Sequence, residues 1–209
     1  MRSLSVIVFV AIFMIQFGCG QSEDQTSDLE KDIILEEEEE QVESRYSTES
    51  LYQTESEWHT HNFDTMQLSE LRGKIPVVAM VFTNCAYACP RMVADLENIE
   101  AQIPEDLKDE VVFVLASFDT ERDHPQRLNE YAKENEMGDN WLMLHGDEED
   151  VRLLSMLLNV QYKKQPDGNF AHSNQITLLN KDGAIVEQIE GLETDPAPIV
   201  NKIKRLGKN

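Results

Sequence analysis

Apolar residues are distributed along this chain in two different ways. Before residue 45 they form one block, Leu4 to Phe17, interrupted only by Ser5 and Gln16, followed by a polar stretch in which only Leu29 and Ile33-Ile34-Leu35 stand out. From about Leu51 onward the spacing is that of folded elements. Ile75 to Phe82 is a nearly unbroken apolar run of strand length, the pattern of a strand covered on both faces. Pro90 opens a helical pattern that places Met92, Val93, Leu96, Ile99 and Ile103 on one face, and Pro104 closes it. Val111 to Ala116 predicts a second buried strand. Asp123 is expected to cap a second helix running through Glu136, with Pro125 in its first turn and Leu128, Tyr131 and Ala132 inward. Trp141 to Leu144 predicts a short third strand. Asp147 then caps a third helix carrying Val151, Leu154, Leu157 and Leu158.

The pattern then changes. Lys163 to Phe170 is a polar loop around Pro166-Asp167-Gly168. Gln175 to Leu179 and Ala184 to Ile189 are two short runs joined by Asn180-Lys181-Asp182-Gly183, which predicts a hairpin. Pro196 or Pro198 starts a last helix with Ile199, Val200, Ile203 and Leu206 inward. Right-handed crossovers make the first three strands parallel, and the hairpin adds antiparallel edge strands. The predicted class is α/β, a central mixed sheet flanked by helices with a C-terminal β-hairpin and helix. This is the plan of a thioredoxin-like (redoxin) domain with an added strand–helix unit, over residues 46–209.

Composition narrows the function. The 209 residues include 40 acidic and 18 basic side chains, a formal net charge of −22. Nucleic acid is excluded as a partner, because phosphate backbones are bound by clustered cations. The first 45 residues hold 11 acids and 3 bases, so the excess is not confined to one tail. Met1-Arg2, a short apolar block and Gly18-Cys19 predict a signal peptide over 1–18 ending at a lipobox-like Cys19, although Gln16 stands where an aliphatic residue is usual. At 14 residues the block is too short for a spanning helix. Residues 19–45, including Glu36 to Glu40, read as an acidic flexible linker. The expectation is an exported lipoprotein, held in the cell envelope by a lipid on Cys19 and facing the periplasm or exterior.

Within the folded part the only thiols are Cys85 and Cys89, at the junction of the first strand and its helix. A helix N-terminus favours thiolate over thiol. Two thiolates there suit copper(I), zinc or a reversible disulfide. His172, 87 positions after Cys85, precedes the hairpin, in a segment that packs against the cysteine turn in a thioredoxin-like fold. That makes it the candidate third ligand. His59 and His61 alternate as on one face of a strand and read as an exposed pair, with an accessory metal site as the alternative. His124 reads as a surface residue at the start of a helix, and His145 as packing. A peroxidase reading, with Thr83 and Arg91 backing Cys85, has the wrong spacing. A structural zinc site lacks a fourth ligand.

These residues resemble the Sco/SenC family of copper-handling proteins over roughly Ser50 to Leu206. The resemblance lies in Val81 to Pro90 (VFTNCAYACP), in Ser117 to Asp123 (SFDTERD), and in His172 before Ile176-Thr177-Leu178-Leu179 and the Asp182-Gly183 turn. It implies one copper ion held by Cys85, Cys89 and His172, and membrane attachment outside the cytoplasm. It also implies delivery of copper to the dinuclear centre of a cytochrome c oxidase subunit, or reduction of that client's copper-ligand cysteines by the Cys85/Cys89 pair acting as a thiol–disulfide oxidoreductase. Asp119 is implied to lie near the site and to shape metal or partner exchange; its other reading is a strand-end cap. Ala86 and Thr120 stand where the family usually has proline. These departures leave nitrous-oxide reductase open as a different client.

Overall fold

A computed structural model describes residues 50–208. The expected signal peptide, Cys19 and the acidic linker lie outside the described residues. The strands are β1 (Glu57–Thr60), β2 (Thr65–Gln67), β3 (Ile75–Val81), β4 (Val111–Ser117), β5 (Trp141–His145), β6 (Tyr162–Lys164), β7 (Phe170–His172), β8 (Gln175–Leu179) and β9 (Ile185–Glu190). The helices are α1 (Ala88–Glu100), α2 (Pro125–Glu134), α3 (Glu148–Leu157) and α4 (Ala197–Leu206). Seven strands form one mixed sheet in the order β2-β1-β5-β4-β3-β8-β9, and β6 and β7 form a separate two-stranded ribbon. This is a thioredoxin-like α/β domain.

The centre of the sheet follows from the apolar runs. Every residue of β3 and β4 is buried, and the two strands pair in parallel from Ile75↔Val111 to Val81↔Ser117. Parallel strands need crossover helices, which α1 and α2 supply. The β8–β9 hairpin adds antiparallel strands beside β3. Its turn needs Gly183, which sits at φ +82° with its backbone against Tyr52.

Four expectations need correction. Asp123 caps nothing. The N-cap of α2 is His124, without a side-chain bond, because the Asp123 carboxylate is taken up by other partners. Helix α1 begins two residues before Pro90, so Cys89 lies inside its first turn. Leu157 is 40% exposed rather than inward, since α3 ends there and its core stripe is Val151 and Leu154. The polar loop around Pro166 is the turn of the β6–β7 hairpin, paired from Tyr162↔His172 to Lys164↔Phe170.

Candidate metal centre

Strand β3 delivers the chain to the open end of the sheet, where Phe82 to Tyr87 turn back into α1. Cys85 N–H donates to the Phe82 carbonyl at 3.2 Å, closing that turn. Pro90 is tolerated in the first helical turn, where its missing N–H would have no partner. Cys89 N–H donates to Cys85 Sγ at 3.3 Å. Both thiols are unbridged, Cys85 half-buried and Cys89 buried.

The pair divides one proton unequally. Cys85 is held down to about 4, first by the hydrogen bond from the Cys89 thiol, then by backbone N–H groups of Cys89, Tyr87 and Ala88, with burial opposing. Cys89 is pushed far above the ordinary thiol range by that same shared bond and by burial. At neutral pH the two sulfurs therefore form a thiolate–thiol pair with the negative charge on the outer sulfur.

His172, at the end of β7, completes the group. One ligand atom each from Cys85, Cys89 and His172 lie within 4.8 Å of one another. His172 Nδ1 is 3.0 Å from the Ser173 carbonyl. A carbonyl only accepts, so Nδ1 carries the hydrogen and Nε2 keeps the lone pair, the arrangement common to metal-bound imidazoles. Aromatic rings fix the imidazole: Phe118 lies 5.0 Å and Phe82 6.0 Å away between centroids. Phe170 packs on both phenyl rings, and Tyr162 stacks on Phe118 at 5.3 Å. A sequence reader sees these residues only as scattered aromatics.

Asp119 is 1% exposed and is not one of the three converging donors. Its carboxylate accepts from Arg122 Nε, and Arg122 Nη2 reaches across to the Gly168 carbonyl at 2.6 Å. Asp119 thus holds the arginine that clamps the hairpin carrying His172. Its backbone carbonyl also accepts from Arg122 and Asp123 N–H, so the strand-end reading describes part of its role.

Asp123 holds the cysteine turn rather than a helix end. This fully buried carboxylate accepts from Thr83 N–H at 2.8 Å, Thr83 Oγ1 at 2.6 Å and Ser117 Oγ at 2.6 Å. It ties the cysteine turn to the end of β4. The signal available was its place in the Ser117–Asp123 segment, but its target lies forty residues upstream.

The other candidates are accounted for differently. Thr83 is committed to Asp123 and accepts from Arg127 Nε at 3.2 Å. Arg91 lies over the exposed Tyr87 ring at 3.8 Å and pairs with Glu193, so neither residue stands as peroxidase machinery. His59 and His61 are not an exposed pair. The chain leaves β1 at Thr60, and His61 is buried with Nδ1 accepting from Met143 N–H at 3.2 Å. Burial holds His61 below the ordinary histidine value. His124 is exposed, as expected.

Comparison with known proteins identifies the family. The family model described as SCO1/SenC matches residues 45–208. The SCO1 protein homolog of Bacillus subtilis (strain 168) is 26% identical over 135 residues, covering 63% of this chain and 69% of that protein. The crystal structure of a SCO1/SenC family lipoprotein from Bacillus anthracis str. Ames superposes with a TM-score of 0.67 at 25% identity, covering 75% of this chain and 96% of that one. Arabidopsis thaliana ScoI, solved with copper bound, superposes at 0.65 with 24% identity, covering 74% and 97%, and shows the shared fold. With the match running across the whole described domain, this chain belongs to the SCO1/SenC family.

Proposed function

We propose that this protein is a copper chaperone, tethered in the cell envelope through Cys19, that carries one copper ion between Cys85, Cys89 and His172. The observation that carries this reading is the convergence of two sulfurs and one lone-pair nitrogen within 4.8 Å. Soft thiolates with one imidazole suit copper(I), and three donors leave room for an incoming client ligand. The copper-bound structure of a similar protein supports the choice of metal. The client we favour is the dinuclear copper centre of a cytochrome c oxidase subunit, with nitrous-oxide reductase as the other candidate.

The residues imply an order of events. The Cys85 thiolate meets the metal first, because it is ionised and half-exposed. Cys89 must then release its proton, and His172 supplies Nε2 from a ring held by the Ser173 carbonyl. Binding therefore releases a proton, and affinity falls as pH falls. Transfer runs in reverse, with client ligands displacing one donor at a time.

A second reading is favoured by the depressed Cys85 thiol. In a thiol–disulfide oxidoreductase Cys85 attacks a client disulfide, and Cys89 then attacks the mixed disulfide. The client leaves as a dithiol and this protein as the Cys85–Cys89 disulfide. An anaerobic copper(I) titration of the full chain and its His172→Ala variant separates the two. Tight one-to-one binding that weakens at least about tenfold in the variant, with disulfide formation intact, supports the chaperone. Equal affinity in both proteins removes His172 as a ligand, and weak binding with efficient exchange supports the reductase.

A further inference from the structure

Three of the remaining histidines gather where β1 pairs with β5. His59 and His145 are direct cross-strand partners, and their rings stack with centroids 6.3 Å apart. His124, at the N-cap of α2, brings its ring to 5.2 Å from His145, edge to face. Three separate elements thus aim imidazoles at one another, and none of the three belongs to the Cys85, Cys89 and His172 set.

Ring stacking accounts for part of this, since two neutral imidazoles pack as small aromatics. It does not account for the nitrogens. His145 Nδ1 is buried and has no hydrogen-bond partner. Burial first, then the neighbouring His124 and His59, hold His145 below the ordinary histidine value, opposed by a ring hydrogen bond to the Asp123 backbone and by the Asp123 charge. His145 is therefore neutral at pH 7, as a metal ligand must be. The ring of His59 is oriented by Thr65, whose Oγ1 lies 3.1 Å from Nδ1, so that Nε2 is its free nitrogen.

Among the described residues only Cys85, Cys89 and His172 already bring ligand atoms within 4.8 Å of one another, so an ion among the three imidazoles requires ring rotation. At a metal–nitrogen distance of about 2.0–2.1 Å an imidazole centroid lies roughly 3.2 Å from the metal, so two such rings at a tetrahedral angle sit roughly 5.2 Å apart. The His124–His145 separation matches this, and the His59–His145 separation exceeds it by about 1 Å. His59 and His124 are both exposed, and the His59 ring turns inward by loosening its contact with Thr65.

We propose that His59, His124 and His145 form a second metal site, which takes a divalent transition-metal ion through three imidazoles, copper(II) most tightly. Nitrogen donors suit copper(II), nickel(II) and zinc(II), with copper(II) highest in the affinity order, whereas the thiolate site selects copper(I). The net charge of −22 raises the local concentration of any cation.

The test uses the full chain carrying Cys85→Ser, Cys89→Ser and His172→Ala, so that its outcome does not depend on the thiolate site. This protein is titrated with copper(II) and, separately, zinc(II), with electron paramagnetic resonance on the copper form. The expected result is one copper(II) per chain with a nitrogen superhyperfine pattern, and weaker zinc(II) binding that copper(II) displaces. Adding His59→Gln or His124→Gln, both at exposed positions, is expected to lower copper(II) affinity at least about tenfold with an unchanged melting temperature. Failure to take up copper(II) overturns the proposal. So does uptake whose affinity and nitrogen signature survive both substitutions, which would put the copper elsewhere, such as the acidic run Glu36–Glu40.

Discussion

Replacing Asp123 with alanine removes the acceptor of three hydrogen bonds at once, from Thr83 N–H, Thr83 Oγ1 and Ser117 Oγ. Each bond to a carboxylate contributes about 1.5–3 kcal/mol, but the three share one group and are not additive. Two neighbouring bonds are kept, since the Ser117 hydroxyl still accepts from Asp119 N–H and Thr83 Oγ1 from Arg127. Breaking a buried charged network in this way costs about 3–5 kcal/mol. For a domain of this size each kcal/mol lowers Tm by about 2–4 °C, so the variant should melt about 6–20 °C below the parent. The loss is directed at the cysteine turn, so copper(I) affinity should fall with it. Asp123→Asn, which keeps one acceptor oxygen, should be intermediate. Thermal and urea unfolding followed by the fluorescence of Trp58 and Trp141 measures the stability. A double-mutant cycle with Thr83→Val measures the link to the turn, with an expected coupling of about 0.5–3 kcal/mol. A stability loss below about 1 kcal/mol, or zero coupling to Thr83, would show that Asp123 does not hold the turn.

Three further outcomes follow from the geometry. Because Cys85 is lowered to about 4, its thiolate is present above that pH and lost below it. Alkylation by iodoacetamide should be nearly flat from about pH 6 to about pH 8 and collapse toward pH 4, whereas a tenfold rise per unit near neutrality would contradict the shared-proton pair. Arg122→Ala strands the buried Asp119 and frees the hairpin from its clamp. The cost should be about 3 kcal/mol, at the low end for an uncompensated buried charge because Arg122 is itself 38% exposed. Hydrogen exchange of the β6–β7 amides should quicken, and unchanged exchange there would remove the clamp. Gly183→Ala forces a side chain into φ +82° and sets its Cβ 2.6 Å from the Tyr52 ring. A loss of at least about 2 kcal/mol in urea unfolding is expected, and a neutral result would mean that the turn relaxes freely.

Much of the domain was legible because it is locally encoded. The continuous apolar runs of β3 and β4 and the one-sided stripe of α1 each report their own burial within a short window. The thiol pair was legible for the same reason, since both sulfurs sit at one strand–helix junction. The hairpin that carries His172 gives no strand signal, because its strands are three residues long and largely solvent-facing, with no apolar alternation. Asp123 looked like a cap because a short polar residue before Pro125 is a local helix-start signal; its real partner, Thr83, lies on another strand's exit. The β1–β5 register brings His59 to His145, and the start of α2 brings His124 to the same ring, neither of which any local pattern shows. Spacing along the chain thus determined which segments are strands or helices and where sulfur chemistry could arise. Tertiary packing alone decided which distant side chains meet, because hydrogen bonds, ring contacts and metal ligation act over a few ångströms of space and leave no periodic trace in the chain.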